Sequence, residues 1–169
     1  SAPTPCDGGT YGDAPGLQNA DQCEACEAGF WCSAGRRIAC TLSTYNDKTG
    51  ADDQSFCIPC HPNSFTRAES STGVADCICE TGHFAVQHDG VPSCIACPVG
   101  ADCEEPGSTL AALPLRRGYY RVSSASDDLR RCPDYGESSG CVGGVGPGEG
   151  PCGPWLQVQC ISLHLIPSP

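Results

Sequence analysis

Cys23-Glu24-Ala25-Cys26-Glu27-Ala28-Gly29-Phe30-Trp31-Cys32 decides how this chain is read. Within ten residues it places a short C-x-x-C joint, a turn-forming residue three positions after Cys26, and an aromatic five positions after it. Working outward, the same frame returns at Cys6 with Tyr11, Cys40 with Tyr45, Cys60 with Phe65 and Cys79 with Phe84. Cys97 to Asp102 keeps the frame without the aromatic. The third residue after each cysteine is Gly9, Gly29, Ser43, Asn63, Gly82 or Gly100, all of which favour turns. The chain is therefore an array of small repeats.

The spacing between frames predicts how the repeats close. Cys6 to Cys23, Cys40 to Cys57 and Cys60 to Cys77 enclose loops of equal length, Cys79 to Cys94 a slightly shorter one, and Cys26 to Cys32 and Cys97 to Cys103 two matching small loops. Each longer loop starts with the turn and the aromatic and carries Gly, Asp or Ser near its middle, as a short hairpin closed by its own disulfide would. A sequential pairing follows: Cys6–Cys23, Cys26–Cys32, Cys40–Cys57, Cys60–Cys77, Cys79–Cys94 and Cys97–Cys103, extended to Cys132–Cys141 and Cys152–Cys160. Crossed pairing within neighbouring loops is the rival, since spacing alone does not fix connectivity. A bridge closing a loop of ~15 residues contributes about 3 kcal/mol. The module aromatics Tyr11, Trp31, Tyr45, Phe65 and Phe84 are expected to pack on neighbouring disulfides, so that each unit leans on the next.

Composition agrees with a scaffold held by bridges. Sixteen of 169 residues are Cys, there is no Met, Gly and Pro number 21 and 15, and the net charge is −11. Without its cysteines such a chain would read as disordered. An even count of cysteines at this density points to an oxidising, extracellular compartment, and no cofactor is implied. A cytosolic zinc protein is the alternative, but His61, His83, His88 and His164 stand in no zinc-ligand frame with the cysteines. The acidic balance, 20 carboxylates to 9 basic side chains, excludes nucleic acid and anionic lipid as natural partners. No apolar run is long enough to span a membrane. Ser1-Ala2-Pro3 reads as a mature end or an excised fragment.

The joints Cys23-Glu-Ala-Cys26-Glu-Ala-Gly-Phe-Trp and Cys57-Ile-Pro-Cys60-His-Pro-Asn-Ser-Phe, with the C-x-C joint Cys77-Ile-Cys79-Glu-Thr-Gly-His-Phe, resemble the cysteine-rich repeats of TNF receptors and of the ephrin-receptor-like (GCC2/GCC3) family. The resemblance covers about residues 6–103 and implies tandem modules of the kind found in receptor ectodomains and in large surface proteins of algae and protists. Arg117-Gly-Tyr-Tyr-Arg121, Cys132-Pro and Cys141-Val-Gly-Gly look like the segment that follows these repeats in the protist proteins. Cys152-Gly-Pro-Trp-Leu-Gln-Val-Gln-Cys160 departs from that family's Gly-Tyr-x-Gly-x-x-Cys continuation.

No sequence motif for catalysis is present. The C-x-x-C pairs lack the helix-start setting that depresses a thiol pKa for redox exchange. Asp47, Asp52 and Asp53 do not have EF-hand spacing, so no metal site is expected. The dibasic pairs Arg36-Arg37, Arg116-Arg117 and Arg130-Arg131 read as salt-bridged surface arginines rather than processing sites. No N-glycosylation sequon occurs, whereas Ala2-Pro3, Thr4-Pro5, Ala14-Pro15, Ser168-Pro169 and the serine clusters at 70–71 and 123–126 suit O-linked sugar. Tyr119, Tyr120 and Arg121 form the one compact candidate for an exposed contact site. Ile161, Leu163 and Leu165 form an apolar, β-competent tail, which suits either an edge pairing with another copy or a strand of this chain.

The expected fold is small and disulfide-rich: tandem short β-hairpin modules forming an elongated rod with almost no helix. Its segments are repeats at 1–39, 40–78 and 79–103, a linker with a strand at 104–131, and a Gly-rich disulfide module at 132–169. The expected function is non-enzymatic and extracellular, a segment or subunit of a filament or cell-surface coat, with copies of itself or a surface ligand as partners. A ligand-binding receptor ectodomain is the alternative reading.

Overall fold

The computed structural model describes residues 6–12, 17, 19–88, 91–133 and 141–144. The chain divides into two compact units, Ser1–Ile78 and Cys79–Pro169. Among the described residues there is no α-helix; the regular structure is a series of two-stranded sheets with non-crossing, sequential pairing.

In the first unit β1 (Thr10–Tyr11) pairs with β2 (Glu24–Ala25), β3 (Phe30–Ser33) with β4 (Arg36–Ala39), and β5 (Thr44–Tyr45) with β6 (Ile58–Pro59), all antiparallel. A fourth pair joins β7 (Ser64–Thr66) to β8 (Cys77–Cys79). In the second unit β9 (His83–His88) pairs with β10 (Val91–Ala96) and β11 (Tyr119–Tyr120) with β12 (Arg130–Arg131). The hairpin form has a local cause in each repeat. The residue three after the opening cysteine takes a left-handed backbone: φ is +81° at Gly9, +84° at Gly29, +64° at Ser43, +60° at Asn63, +80° at Gly82 and +98° at Gly100. This reverses the chain, and after the first five of these residues a strand starts at the next position. The carbonyl of that residue then accepts a hydrogen bond from the next module's first cysteine: Cys26 N–H to Gly9, Cys40 to Gly29, Cys60 to Ser43, Cys97 to Gly82.

The three loops of equal length share a second device. A single turn of 3₁₀ helix stands immediately before the closing cysteine, at Ala20–Gln22, Gln54–Phe56 and Val74–Asp76. The closing cysteine N–H bonds to the first carbonyl of the turn: Cys23 to Ala20, Cys57 to Gln54 and Cys77 to Val74. A side chain fixes each start. Asp53 accepts from Ser55 N–H at 2.8 Å, Asn19 N–H donates to Gln22 Oε1 at 3.2 Å, and Asp76 accepts from Thr72 and Gly73 N–H.

Successive modules are joined by main-chain hydrogen bonds at fixed offsets from the opening cysteine. The left-handed residue donates to the carbonyl six past the next opening cysteine: Gly9 to Cys32 at 3.0 Å, Gly29 to Asn46 at 2.8 Å, Gly82 to Cys103 at 2.8 Å. The N–H at offset six donates onward, Cys32 to Ala51, Asn46 to Ser71 and Ala85 to Ser108. The N–H at offset ten returns to the preceding opening cysteine, Gly50 to Cys26, Ser70 to Cys40 and Gly107 to Cys79. The chains approach so closely along this seam that a Cβ on Gly9 would lie 2.4 Å from Gly50 O, and one on Gly29 would lie 2.2 Å from Ser70 O.

Apolar cores are correspondingly small. Tyr11, Cys26 and Cys32 form one buried cluster with Phe30 against it; Phe84, Ala101, Cys103 and Leu113 form another, flanked by Val86, Cys97, Leu110 and Leu129.

Candidate functional site

The cysteines carry the chemistry of this chain. Seven disulfides are formed among the described residues: Cys6–Cys23, Cys26–Cys32, Cys40–Cys57, Cys60–Cys77, Cys79–Cys94, Cys97–Cys103 and Cys132–Cys141. Each joins a cysteine to the next one in sequence, and none among the described residues is free. Cys152 and Cys160 lie outside the described residues, as do Ile161, Leu163 and Leu165.

The position six after the opening residue holds a second set of staples in several modules, though it is Gly12 after Cys6 and Ala85 after Cys79. Cys32 and Cys103 fill it with disulfides, at 0% and 3% exposure. Asn46 fills it at 0% exposure, its Nδ2 donating to Phe30 O at 2.8 Å and its Oδ1 accepting from Lys48 N–H at 2.9 Å. Thr66 fills it with a hydroxyl that accepts from Ser43 N–H and donates to Ala68 O. Leu115-Arg-Arg-Gly118-Tyr-Tyr120 extends the series, with leucine in the cysteine's place. Gly118 has φ +86° and its carbonyl accepts from Cys132 N–H. Counting from Leu115, offset six is Arg121.

This overturns the expectation that Arg121 belongs to an exposed contact. It is 3% exposed, and its guanidinium donates to the carbonyls of Leu110, Ala111 and Ser124. The planar fork, with its several N–H donors, suits three carbonyls converging on one buried point. Burial lowers its pKa, because the charged form loses water. Tyr119 and Tyr120 are half-buried; Tyr119 lies over Gly100, where a Cβ would come within 2.2 Å of the ring, and Arg131 sits 5.9 Å from its centroid.

The module aromatics fall into two kinds. Tyr11 and Phe84 are buried, at 4% and 1% exposure, Tyr11 beside Cys26 and Cys32. Tyr11 donates its hydroxyl to Glu24 Oε2 at 3.1 Å; that bond, with burial and the charges of Glu27 and Glu24, raises the phenol pKa. Arg37 stacks between the rings of Tyr11 and Phe30, at 4.9 and 4.8 Å, and pairs with Glu27 at 2.7 Å. Trp31, Tyr45 and Phe65 are half-buried. Tyr45 pairs across with Ile58 and bridges to Ser71. Trp31 instead pairs across with Ile38 on the outer face of its hairpin.

Of the arginine pairs, Arg37, Arg116 and Arg130 have carboxylate partners, Glu27, Glu104 and Asp128. Among the described residues, no group of three His, Cys, Asp or Glu side chains is placed to hold a metal ion, and no helix is long and apolar enough to cross a membrane.

Sequence reasoning missed Asn46 and Thr66, and singled out Arg121 for an exposed contact rather than a buried staple. The signal was present: a fixed offset from the turn occupied by cysteine in some copies and by a polar residue in others.

No protein-family model matches the chain. One curated protein, cysteine repeat modular protein A of Toxoplasma gondii, is 28% identical over 116 residues, which is 64% of this chain and 4% of that protein. The chain thus spans a small fraction of the relative's length. With its sequentially bridged hairpins and repeating seam, it is a cysteine-rich repeat protein, similar over most of its length to a segment of that modular protein.

Proposed function

We propose that this chain is a non-enzymatic, extracellular structural or adhesive segment, part of a filament or cell-surface coat. The main-chain seam carries the reading. Each module within a unit is held to the next by hydrogen bonds that recur at the same offsets, which suits a mechanical support better than a site built for turnover. Buried disulfides in place of a large apolar core belong to an oxidising setting. The relative's name, a cysteine repeat modular protein, is in keeping with a short array that serves within a much longer modular protein. Copies of the chain are the proposed partners, through the tail that contains Ile161, Leu163 and Leu165.

Negative-stain electron microscopy of the native protein, with and without reductant, tests this. Regular fibres that disappear on reduction, and on removal of residues 161–169, are the expected result. Isolated particles at every concentration would overturn it.

A further inference from the structure

The hairpin β3–β4 has two unlike faces. Strand alternation puts Phe30, Cys32 and Arg37 on the inner one, where Cys32 is fully buried and Arg37 is held by Glu27 and two rings. The outer one carries Trp31 opposite Ile38, and Arg36 two residues along the strand from Ile38. Ile38 is 38% exposed, and β4 pairs only with β3 among the described residues. Beside this face is a cleft of about 160 Å³, lined by Trp31, Ile38, Ala39, Thr41, Thr44, Gln54 and the disulfide-bonded Cys57. Arg36 is exposed and, unlike its neighbour Arg37, has no ion-pair partner among the described residues. The apolar Trp31–Ile38 edge of this cleft, with an arginine that has no ion-pair partner among the described residues two strand positions away, asks for the complementary pair of groups at the same spacing, roughly 7 Å.

We propose that the Trp31–Ile38–Arg36 face binds an extended acidic peptide segment of a partner protein, seating one apolar side chain against Trp31 and Ile38 and one carboxylate, two residues away, on Arg36. Aromatic and arginine side chains at the centre of a contact, with polar groups such as Thr41, Thr44 and Gln54 around it, are the usual make-up of an interface anchor. The chain's net charge of −11 opposes any acidic ligand at long range, but at physiological salt the Debye length of about 8 Å leaves the local contact to Arg36 in control. The proposal stands on this face alone and is independent of fibre formation.

The test uses the full oxidised chain with Trp155→Phe, so that emission reports Trp31. It is titrated with a capped peptide of sequence SLSESLSE, and with SLSKSLSK and SSSESSSE as controls. The expected result is saturable binding of the first below about 1 mM, with each control at least tenfold weaker. Arg36→Glu, a change at an exposed side chain, reverses the preference between the glutamate and lysine peptides. Ile38→Ser weakens all binding at least fivefold. Equal affinity for the three peptides, no saturable binding, or an unchanged ranking in Arg36→Glu overturns the proposal.

Discussion

Asn46 stands in its module where Cys32 stands in the preceding one. Both are six residues past an opening cysteine, both have no exposed surface, and each carbonyl accepts from the left-handed glycine of the module before, Gly9 for Cys32 and Gly29 for Asn46. A side-chain amide thus takes over from a covalent bridge. It does so by reaching Phe30 O and Lys48 N–H together.

Asn46→Ala removes both bonds and takes the side-chain partner from the half-buried Phe30 carbonyl and from Lys48 N–H. The expected loss is about 2–3 kcal/mol, read as a lower denaturation midpoint of the oxidised protein with an unchanged slope. Asn46→Asp keeps the acceptor but loses the donor to Phe30, and should lose about as much.

Arg121→Met keeps much of the volume and removes three hydrogen bonds to carbonyls. The expected cost is about 2–4 kcal/mol in the same measurement. Arg130→Gln, at a surface arginine paired with Asp128, should cost less than about 1 kcal/mol. Equal effects at the two sites would contradict the staple role of Arg121.

Gly29→Ala places a methyl 2.2 Å from Ser70 O on a residue with φ +84°, so both the seam and the backbone resist it. Gly50→Ala is also strained by a φ of +73° but meets open space. The first should cost more than about 2 kcal/mol and the second about 1 kcal/mol. Comparing their thermal midpoints separates close approach from backbone strain.

Tyr11 should ionise at higher pH than an ordinary tyrosine. Its hydrogen bond to Glu24 comes first among the causes, and burial follows. The sign follows from linkage. A raised folded pKa means the neutral phenol is favoured by the fold, so its contribution is complete below the ordinary tyrosine range and is lost as pH rises through the folded value. Ultraviolet titration should show a late phenolate component that Tyr11→Phe removes.

The turn residues and the cysteine spacing made the hairpin class legible, because both act locally. A left-handed residue at Gly9, Ser43 or Asn63 reverses the chain whatever surrounds it. The 3₁₀ turns before Cys23, Cys57 and Cys77 were not read, although Asn19, Asp53 and Asp76 mark them, because three residues are too few to show a helical period. Offset six was not legible from cysteine counting, since Asn46 and Thr66 act through hydrogen bonds that only the neighbouring module completes. Arg121 looked like a surface hot spot because composition cannot distinguish an arginine facing solvent from one facing three carbonyls.

The seam between modules is made of peptide groups, so it carries no address. Besides the staple at offset six, a module asks of its neighbour a left-handed residue and an open carbonyl at the right offsets, and every polypeptide can supply the second. Cassettes of this kind can be duplicated, reordered or exchanged between unlike proteins with few side chains to match on either side. The outward positions, among them Trp31 and Arg36, stay free to acquire a different specificity in each copy.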